Sequence, residues 1–278
     1  MENNLLALYG LKHRPFAIGI PVEALWKPSY ADTFFHRVEN VVLDGGFALI
    51  SGEVGLGKSK MLQALAHRLK KIGDDVMVGV MERPQNTLSD FYRELGELFG
   101  IQLSPNNRYG GFKALRDRWR TQIAASLFRP VLLIDEAQEM SAAVLNELRI
   151  LSSANFDSDN LLSIVLCGDN RLLERLTTRE LLPLGSRIRT RYNMQALDHE
   201  MLLDFLNDQL EQAGAPHLMT EELKTTLVQH SGGNLRILCG IASELLASGA
   251  ERNLKRLDEK LYLEMYGQPV TKKSTVRR

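Results

Sequence analysis

The sequence has little cysteine and no excess charge of either sign. Its 278 residues include two cysteines, Cys167 and Cys239, and 34 basic residues balance 34 acidic ones. Because both cysteines lie in apolar stretches, and no cysteine and histidine spacing suggests zinc, we expect buried thiols in a reducing compartment. The formal net charge of +0 excludes an overall basic field for nucleic acid, although it leaves room for a local basic patch.

The sequence also lacks a long apolar run. No stretch approaches the roughly 20 residues of a membrane-spanning helix, and the first residues, MENNLLALYG, lack the pattern of a signal peptide. No internal repeat or low-complexity segment stands out. The composition is 44% hydrophobic and 24% charged, as in ordinary globular proteins. We therefore expect a cytoplasmic protein with one large or two modest domains.

A glycine-rich stretch, SGEVGLGKSK, follows the apolar run GFALI and fits the phosphate-loop pattern G-x-x-x-x-G-K-[ST]. The glycines let backbone N–H groups face an anion, and a helix predicted at about 58–70 points its positive end at the same place. In this pattern Lys58 reaches the β- and γ-phosphates and the Ser59 hydroxyl helps to hold Mg²⁺. An ordinary glycine-rich turn is the less favoured alternative. The residues predicted to bind ATP here are Gly52, Glu53, Val54, Gly55, Leu56, Gly57, Lys58, Ser59 and Lys60.

A second motif, VLLIDEAQEM, is acidic and places Asp135 and Glu136 after a short apolar run. Such a run is typical of a parallel strand buried on both faces, and ligands bind at the carboxyl ends of these strands. There Asp135 can hold Mg²⁺ and Glu136 can orient an attacking water. A strand that ends in a solvated acidic turn is the alternative, but a phosphate loop upstream favours the catalytic interpretation.

Three arginines, Arg187, Arg189 and Arg191, alternate in the segment LLPLGSRIRTRYNM. They either form an exposed strand face or include an arginine that reaches the γ-phosphate of a neighbouring subunit, with Arg187 preferred over Arg189. Arg236, in SGGNLRIL, lies just inside a predicted helix, where a cation is unfavourable for the helix dipole. We interpret Arg236 as a nucleotide contact, with a solvated surface arginine as the alternative.

Apolar strand patterns alternate with amphipathic helix patterns up to about Leu197, and helix patterns alone follow. The alternation predicts an α/β domain with a parallel sheet flanked by helices, followed by a small all-helical domain. We divide the chain into a lead-in segment at 1–45, a nucleotide-binding domain at 46–197, a helical domain at 198–267 and a basic tail at 268–278. The tail, with the sequence TKKSTVRR over 271–278, is a frayed terminus or a weak nucleic-acid contact.

Together these motifs resemble the AAA+ ATPase superfamily over most of the chain. The resemblance implies a P-loop NTPase fold with a helical lid, in which Gly52 to Ser59 is Walker A and Asp135 with Glu136 is Walker B. It also implies that Arg236 is sensor 2 and that Arg187 is an arginine finger. Sensor 1 falls at Asp169 or Asn170, and we choose Asn170 because family members often carry Asn, Thr, Ser or Gln there.

Four stretches, YGLKHRPFAI, GGFALISGEVGLGKS, LLIDEAQEM and LCGDNRLLERL, resemble the ExeA/GspA-type secretion ATPases and the related transposition regulators of the TnsC, TniB and MuB kind. Typical secretion members continue into a membrane helix and a cell-wall-binding segment. This sequence stops after the helical domain, so the transposition branch is our first expectation.

The resemblance thus implies an ATPase that binds double-stranded DNA as an ATP-dependent homo-oligomer, in a ring or filament, and regulates a transposase. Five basic residues in the segment 106–120 could contact a DNA backbone, although a solvated helix face is the alternative for each. They are Arg108, Lys113, Arg116, Arg118 and Arg120. A secretion or pilus-assembly ATPase with a membrane partner is the second hypothesis. The third, a nucleotide-gated scaffold without turnover, is disfavoured by Glu136.

Overall fold

The computed structural model describes residues 2–73, 76–84, 86–103, 107–126 and 128–267. The chain folds into two compact units. One comprises Lys27–Ala196, and the other combines Met1–Trp26 with Leu197–Arg278. The predicted basic tail at 268–278 lies outside the described residues.

The helices and strands alternate in the first unit, whereas helices dominate the second. The helices are α1 (Glu2–Tyr9), α2 (Ser29–Asp44), α3 (Lys58–Ile72), α4 (Leu88–Leu98), α5 (Arg108–Ala125), α6 (Ala142–Ser152), α7 (Asn170–Thr177), α8 (Leu182–Gly185), α9 (His199–Gln212), α10 (Glu221–Ser231), α11 (Leu235–Glu251) and α12 (Glu259–Tyr266). The strands are β1 (Gly46–Gly52), β2 (Val78–Met81), β3 (Val131–Ile134), β4 (Ser153–Ala154), β5 (Asp159–Asn160), β6 (Ser163–Gly168) and β7 (Ile188–Met194). Within the described residues, no helix is both long and apolar enough to span a membrane.

The α/β unit is built on a five-stranded sheet with the strand order β2-β3-β6-β1-β7. All of its neighbouring strands run parallel. Every residue of β3 and β6 is buried, as expected for a parallel sheet with helices on both faces. The predicted fold class, a parallel sheet flanked by helices and followed by a helical region, is confirmed.

Local sequence signals account for several element boundaries. Thr87 caps α4 by accepting a hydrogen bond from the Asp90 backbone N–H, a position that threonine favours. Ser141 caps α6 in the same way through Val144. The valine-rich stretch DDVMVGVME, at 74–82, forms β2 over Val78–Met81, and residues 74 and 75 lie outside the described residues.

The structure divides the predicted lead-in segment, 1–45, between the two units. Its first part contains α1, a helix that the sequence reasoning did not predict. Leu5, Leu11 and Phe16 are buried in the core of the helical unit. By contrast, α2 contributes the buried Phe34 and Phe35 and packs on β1 and β7 of the sheet. The division follows the apolar side chains, since each part buries them against a different core.

Candidate nucleotide site

The predicted glycine-rich motif and the predicted acidic motif meet at the carboxyl ends of the strands, which form one edge of the sheet. In the parallel register Ile50 pairs with Cys167 and Ile134 pairs with Leu166, so β1, β6 and β3 end side by side. Neighbouring strands lie about 4.8 Å apart, which puts the ends of β1 and β3 about 10 Å apart. That span is suited to a phosphate group between the loop after β1 and the carboxylates after β3.

The glycine loop has a backbone that only glycine adopts easily. Gly52 has a φ of 151°, and a Cβ there would lie 2.5 Å from the Met194 carbonyl oxygen of β7. Gly57, the residue before α3, has a left-handed φ of 93°. Both conformations are costly for a residue with a side chain. The loop can therefore turn its amides toward an anion at the N-terminus of α3.

Lys58 is the first residue of α3 and is buried, with 7% of its surface exposed. Its ammonium donates a hydrogen bond to the Glu53 carbonyl oxygen at 2.9 Å. The loop thus holds a cation over its own backbone, where it can meet phosphate oxygens. Ser59, the next residue, is exposed at the same helix end.

Asp135 and Glu136 follow β3 directly. The Asp135 backbone N–H extends the pairing with β2 by donating to the Met81 carbonyl oxygen at 3.0 Å. Glu136 has a left-handed φ of 49° and an exposed side chain. Its backbone N–H donates to Asp135 Oδ1 at 2.9 Å. Glu136 therefore leaves the sheet at a sharp turn that presents its carboxylate at the strand edge.

Two side chains near these carboxylates have altered pKa values. Burial, together with the neighbouring Asp135 carboxylate, raises the pKa of the Cys167 thiol well above its usual range. Burial also opposes ionisation of Asp169, but hydrogen bonds from the side chain and backbone of Arg171 leave the pKa of Asp169 lowered. Cys167 is thus a neutral neighbour of Asp135, and Asp169 is a charged cap of α7.

Of the two alternatives for sensor 1, Asn170 contacts the glycine loop. Its amide nitrogen donates to the Glu53 carboxylate. Asp169 instead accepts from the Arg171 backbone N–H at 2.9 Å and caps α7. The contact to the loop brings Asn170 and Glu53 together at the site.

The residues present fit one Mg²⁺ that is shared with phosphates. The described residues contain no group of three or more His, Cys, Asp or Glu side chains able to hold a metal. Mg²⁺ characteristically uses one or two carboxylates, water and substrate phosphates. Ser59, at the start of α3, and Asp135, directly after β3, supply such oxygen donors.

Arg187 lies at the opposite edge of the sheet, where the amino ends of the strands are. It precedes β7, whose first residue, Ile188, pairs with Phe47 near the start of β1. The length of β1, from Gly46 to Gly52, separates the two edges by about 20 Å. Arg187 is ion-paired with Asp157 of its own chain. The two residues line a cleft of about 260 Å³ at this edge, together with Arg189. Arg187 therefore cannot serve the phosphate loop of its own chain.

The other predicted arginines have different surroundings. Arg191 donates to the backbone carbonyl oxygens of Ile188 at 3.1 Å and Gly185 at 2.8 Å, so it fastens the turn before β7. Arg236 is exposed at the second position of α11, in the helical unit.

On α5, Arg108 pairs with Glu147, and Arg116 donates to backbone carbonyl oxygens of 150–153. Their structural contacts weaken the case for these two as DNA contacts, while Lys113, Arg118 and Arg120 are exposed.

Sequence reasoning missed two residues that contact the predicted site residues. Gln138 donates to the Glu136 carboxylate, and Asp157 binds Arg187. Asp157 lies in a turn between β4 and β5 with left-handed backbone at 155–157. Gln138 lies in the motif VLLIDEAQEM but received no role from its sequence position, and Asp157 lies outside the motifs. Both roles depend on how the turns fold back.

Comparison with known proteins finds similarity to AAA domains in part of the chain. A family model described as "AAA domain" matches residues 42–176. General secretion pathway protein A of Aeromonas hydrophila is 28% identical over 254 residues, which cover 90% of this chain and 45% of that protein. The chain thus spans less than half the length of this relative. Both findings support the predicted resemblance to ExeA/GspA-type AAA+ ATPases.

Solved structures show the same fold. The Aeropyrum pernix ORC2 protein, in ADPNP-ADP complexes, has a TM-score of 0.73 at 17% identity, covering 91% of this chain and 71% of that one. Cdc6p from Pyrobaculum aerophilum has a TM-score of 0.70 at 14% identity, covering 87% and 67%. The Aeropyrum pernix ORC1 protein in complex with DNA has a TM-score of 0.68 at 16% identity, covering 91% and 68%. At these identities the likeness establishes the P-loop AAA+ fold alone.

Proposed function

We propose that this protein binds and hydrolyses ATP. One observation carries the proposal: the glycine loop with its buried Lys58, the Asp135–Glu136 pair and Asn170 all converge at one edge of the parallel sheet. A solvated acidic turn and an ordinary glycine-rich turn, the two alternatives without a nucleotide, would not require this convergence. The match of residues 42–176 to the AAA domain supports the same activity.

Each residue has a distinct role in this proposal. Backbone amides of 52–59 and the Lys58 ammonium bind the β- and γ-phosphates of ATP. Mg²⁺, held by Ser59 and Asp135, would neutralise charge that develops on the phosphates. Glu136 orients the attacking water and accepts its proton, and Asn170 contacts the γ-phosphate end of the loop. We assign Arg236 to the nucleotide as well.

Hydrolysis in this scheme requires a second copy of the chain. Arg187 lies about 20 Å from the phosphate loop of its own chain, so it can stabilise transferred charge only at a neighbour's site. A homo-oligomer, as a ring or a filament, is therefore part of the proposal.

We place a secretion-type role first, because the relative at 28% identity is named General secretion pathway protein A. In this role the oligomer would use ATP hydrolysis to act on a membrane-associated partner. This order reverses our expectation from sequence, because no comparison supports the transposition branch.

ATP-dependent binding of double-stranded DNA, with a transposase as partner, is the second candidate. The exposed Lys113, Arg118 and Arg120 on α5 favour it, since exposed cations along a helix can follow a phosphate backbone. The neutral net charge requires several subunits to contribute to such a surface.

One set of measurements tests the proposal. Phosphate release is measured for the wild type and Lys58→Ala, alone, with double-stranded DNA, and with anionic lipid vesicles. Turnover by the wild type and none by Lys58→Ala is expected. Binding and stimulation by vesicles or co-purified membrane protein, without DNA binding, would favour the secretion role. ATP-dependent DNA binding with growth into large assemblies would favour the transposition role.

A further inference from the structure

Gln138 connects Glu136 to the end of the neighbouring strand. It lies in the 3₁₀ turn Ala137–Glu139 and is buried, with 6% of its surface exposed. Its amide nitrogen donates to Oε2 of Glu136. Its amide oxygen accepts a hydrogen bond from the Asp169 backbone N–H at 3.1 Å. A single buried side chain thus joins the carboxylate after β3 to the residue after β6.

Only one orientation of this amide satisfies both neighbours. The Asp169 N–H can only donate, and an ionised carboxylate can only accept. The amide oxygen must therefore face Asp169 and the amide nitrogen must face Glu136. Among the described residues, Gln138 is the only side chain that hydrogen-bonds the Glu136 carboxylate.

The turn that carries Gln138 is fixed to α7 by two arginines. Arg175 donates to the Gln138 carbonyl oxygen, and Arg171 donates to the Glu139 carboxylate at 2.7 Å. Gly168 lies close beside the Gln138 side chain, because a Cβ at 168 would be 2.6 Å from its amide oxygen. The position of Gln138 is therefore set by the end of β6 and the start of α7, not by its own turn alone.

The hydrogen bonds continue to the glycine loop. Asn170, next to Asp169, donates to the Glu53 carboxylate of that loop. The glycine loop is thus connected to the start of α7 and, through the Asp169 N–H, to Gln138. Glu136 itself is exposed and leaves the sheet with a left-handed backbone, so its carboxylate needs such a partner to keep one orientation.

We propose that Gln138 is a positioning residue for hydrolysis: it holds the Glu136 carboxylate in one orientation and links that orientation to the glycine loop through Asp169 and Asn170. This inference rests on the proposed ATPase activity. Gln138 does not touch ATP; it acts through Glu136.

Two substitutions separate positioning from a purely structural role. Gln138→Met keeps the length of the side chain and removes both hydrogen bonds. Gln138→Glu keeps an acceptor for the Asp169 N–H but sets a carboxylate against Glu136. If only the link to Asp169 matters, Gln138→Glu keeps its rate; if donation to Glu136 matters, both variants lose it. Gln212→Met, the same change at an exposed glutamine that ends α9 in the helical unit, is the matched control.

The measurement is kcat and KM for ATP in each full-length variant, with the melting temperature as a check of folding. We expect kcat to fall roughly 10- to 100-fold in both Gln138 variants, since a misplaced general base loses about this much. KM should stay within about threefold, because the phosphate loop is intact. Gln212→Met should keep the wild-type kcat.

Three results overturn the inference. If the wild type hydrolyses ATP and Gln138→Met keeps the wild-type kcat, Gln138 does not position Glu136. If Gln138→Glu keeps the rate while Gln138→Met loses it, Gln138 serves only to tie the strands. A wild type that binds ATP without turnover under any condition overturns the proposed ATPase activity, and this inference with it.

Discussion

The close approach of β7 to the first residue of the glycine loop can be tested with two matched substitutions. Gly46 and Gly52 are the two ends of β1 and have similar φ values, 143° and 151°. A Cβ at Gly52 would lie 2.5 Å from the Met194 carbonyl oxygen, whereas one at Gly46 would meet only Val41 Cγ1 at 3.7 Å. Gly46→Ala and Gly52→Ala therefore share the backbone strain, and only Gly52→Ala adds a clash.

The expected difference follows from these contacts. Each variant places alanine at a positive φ, which costs about 1–3 kcal/mol. The clash at Gly52 adds about 1–3 kcal/mol, because the backbone of β7 must move away. For a unit of this size each kcal/mol lowers the melting temperature by about 2–4 °C. Gly52→Ala should thus melt about 2–12 °C below Gly46→Ala.

The assay combines nucleotide-free thermal unfolding with titration of a fluorescent ATP analogue. Gly52→Ala should also bind ATP at least roughly tenfold more weakly, since a displaced loop no longer aims its amides at the phosphates. Gly46→Ala, at the far edge of the sheet, should bind like the wild type. Equal melting temperatures for the two variants, or equal losses of affinity, would refute the reasoning.

Three further predictions concern single side chains. Lys58→Ala should abolish ATP binding in the same titration, because the loop loses its buried cation; normal binding would remove the phosphate-loop interpretation. Arg187→Ala should bind ATP normally and lose about 10³-fold in hydrolysis. Mixing it with Glu136→Gln should restore part of the rate at interfaces with both intact residues, and no recovery would assign the finger to another arginine. Because the pKa of Asp169 is lowered, its contribution to the unfolding free energy is present above pH ~4 and is lost as the pH falls through the lowered pKa. Acid unfolding of Asp169→Asn should show a smaller loss of stability over that window, and an unchanged acid limb would contradict the assignment.

The sheet and the phosphate loop were predictable because each is encoded locally. The runs FALI, VLLI and SIVLCG are apolar on both faces, which only a doubly covered parallel strand requires. The loop pattern fixes Gly52, Lys58 and Ser59 by spacing, and the carboxyl-edge rule for parallel sheets brings Asp135 beside them.

The remaining contacts depend on the third dimension. In the sequence DEAQEM, nothing distinguishes Gln138 from other polar residues. Its hydrogen bonds to Glu136 and Asp169 depend on the turn that buries it. The partner of Arg187 is similarly remote, since Asp157 lies 30 positions away. The helix α1 was missed because Leu5 is buried by residues of the distant C-terminal segment, which a local pattern does not show.

The most direct test of ATP hydrolysis at this sheet edge compares the wild type with Glu136→Gln at saturating ATP, with binding and phosphate release measured on the same samples. The account predicts equal ATP binding and a phosphate-release rate roughly 10²-fold or more lower in Glu136→Gln. Equal rates in the two proteins, or no release by the wild type alone, with DNA or with vesicles, would contradict it.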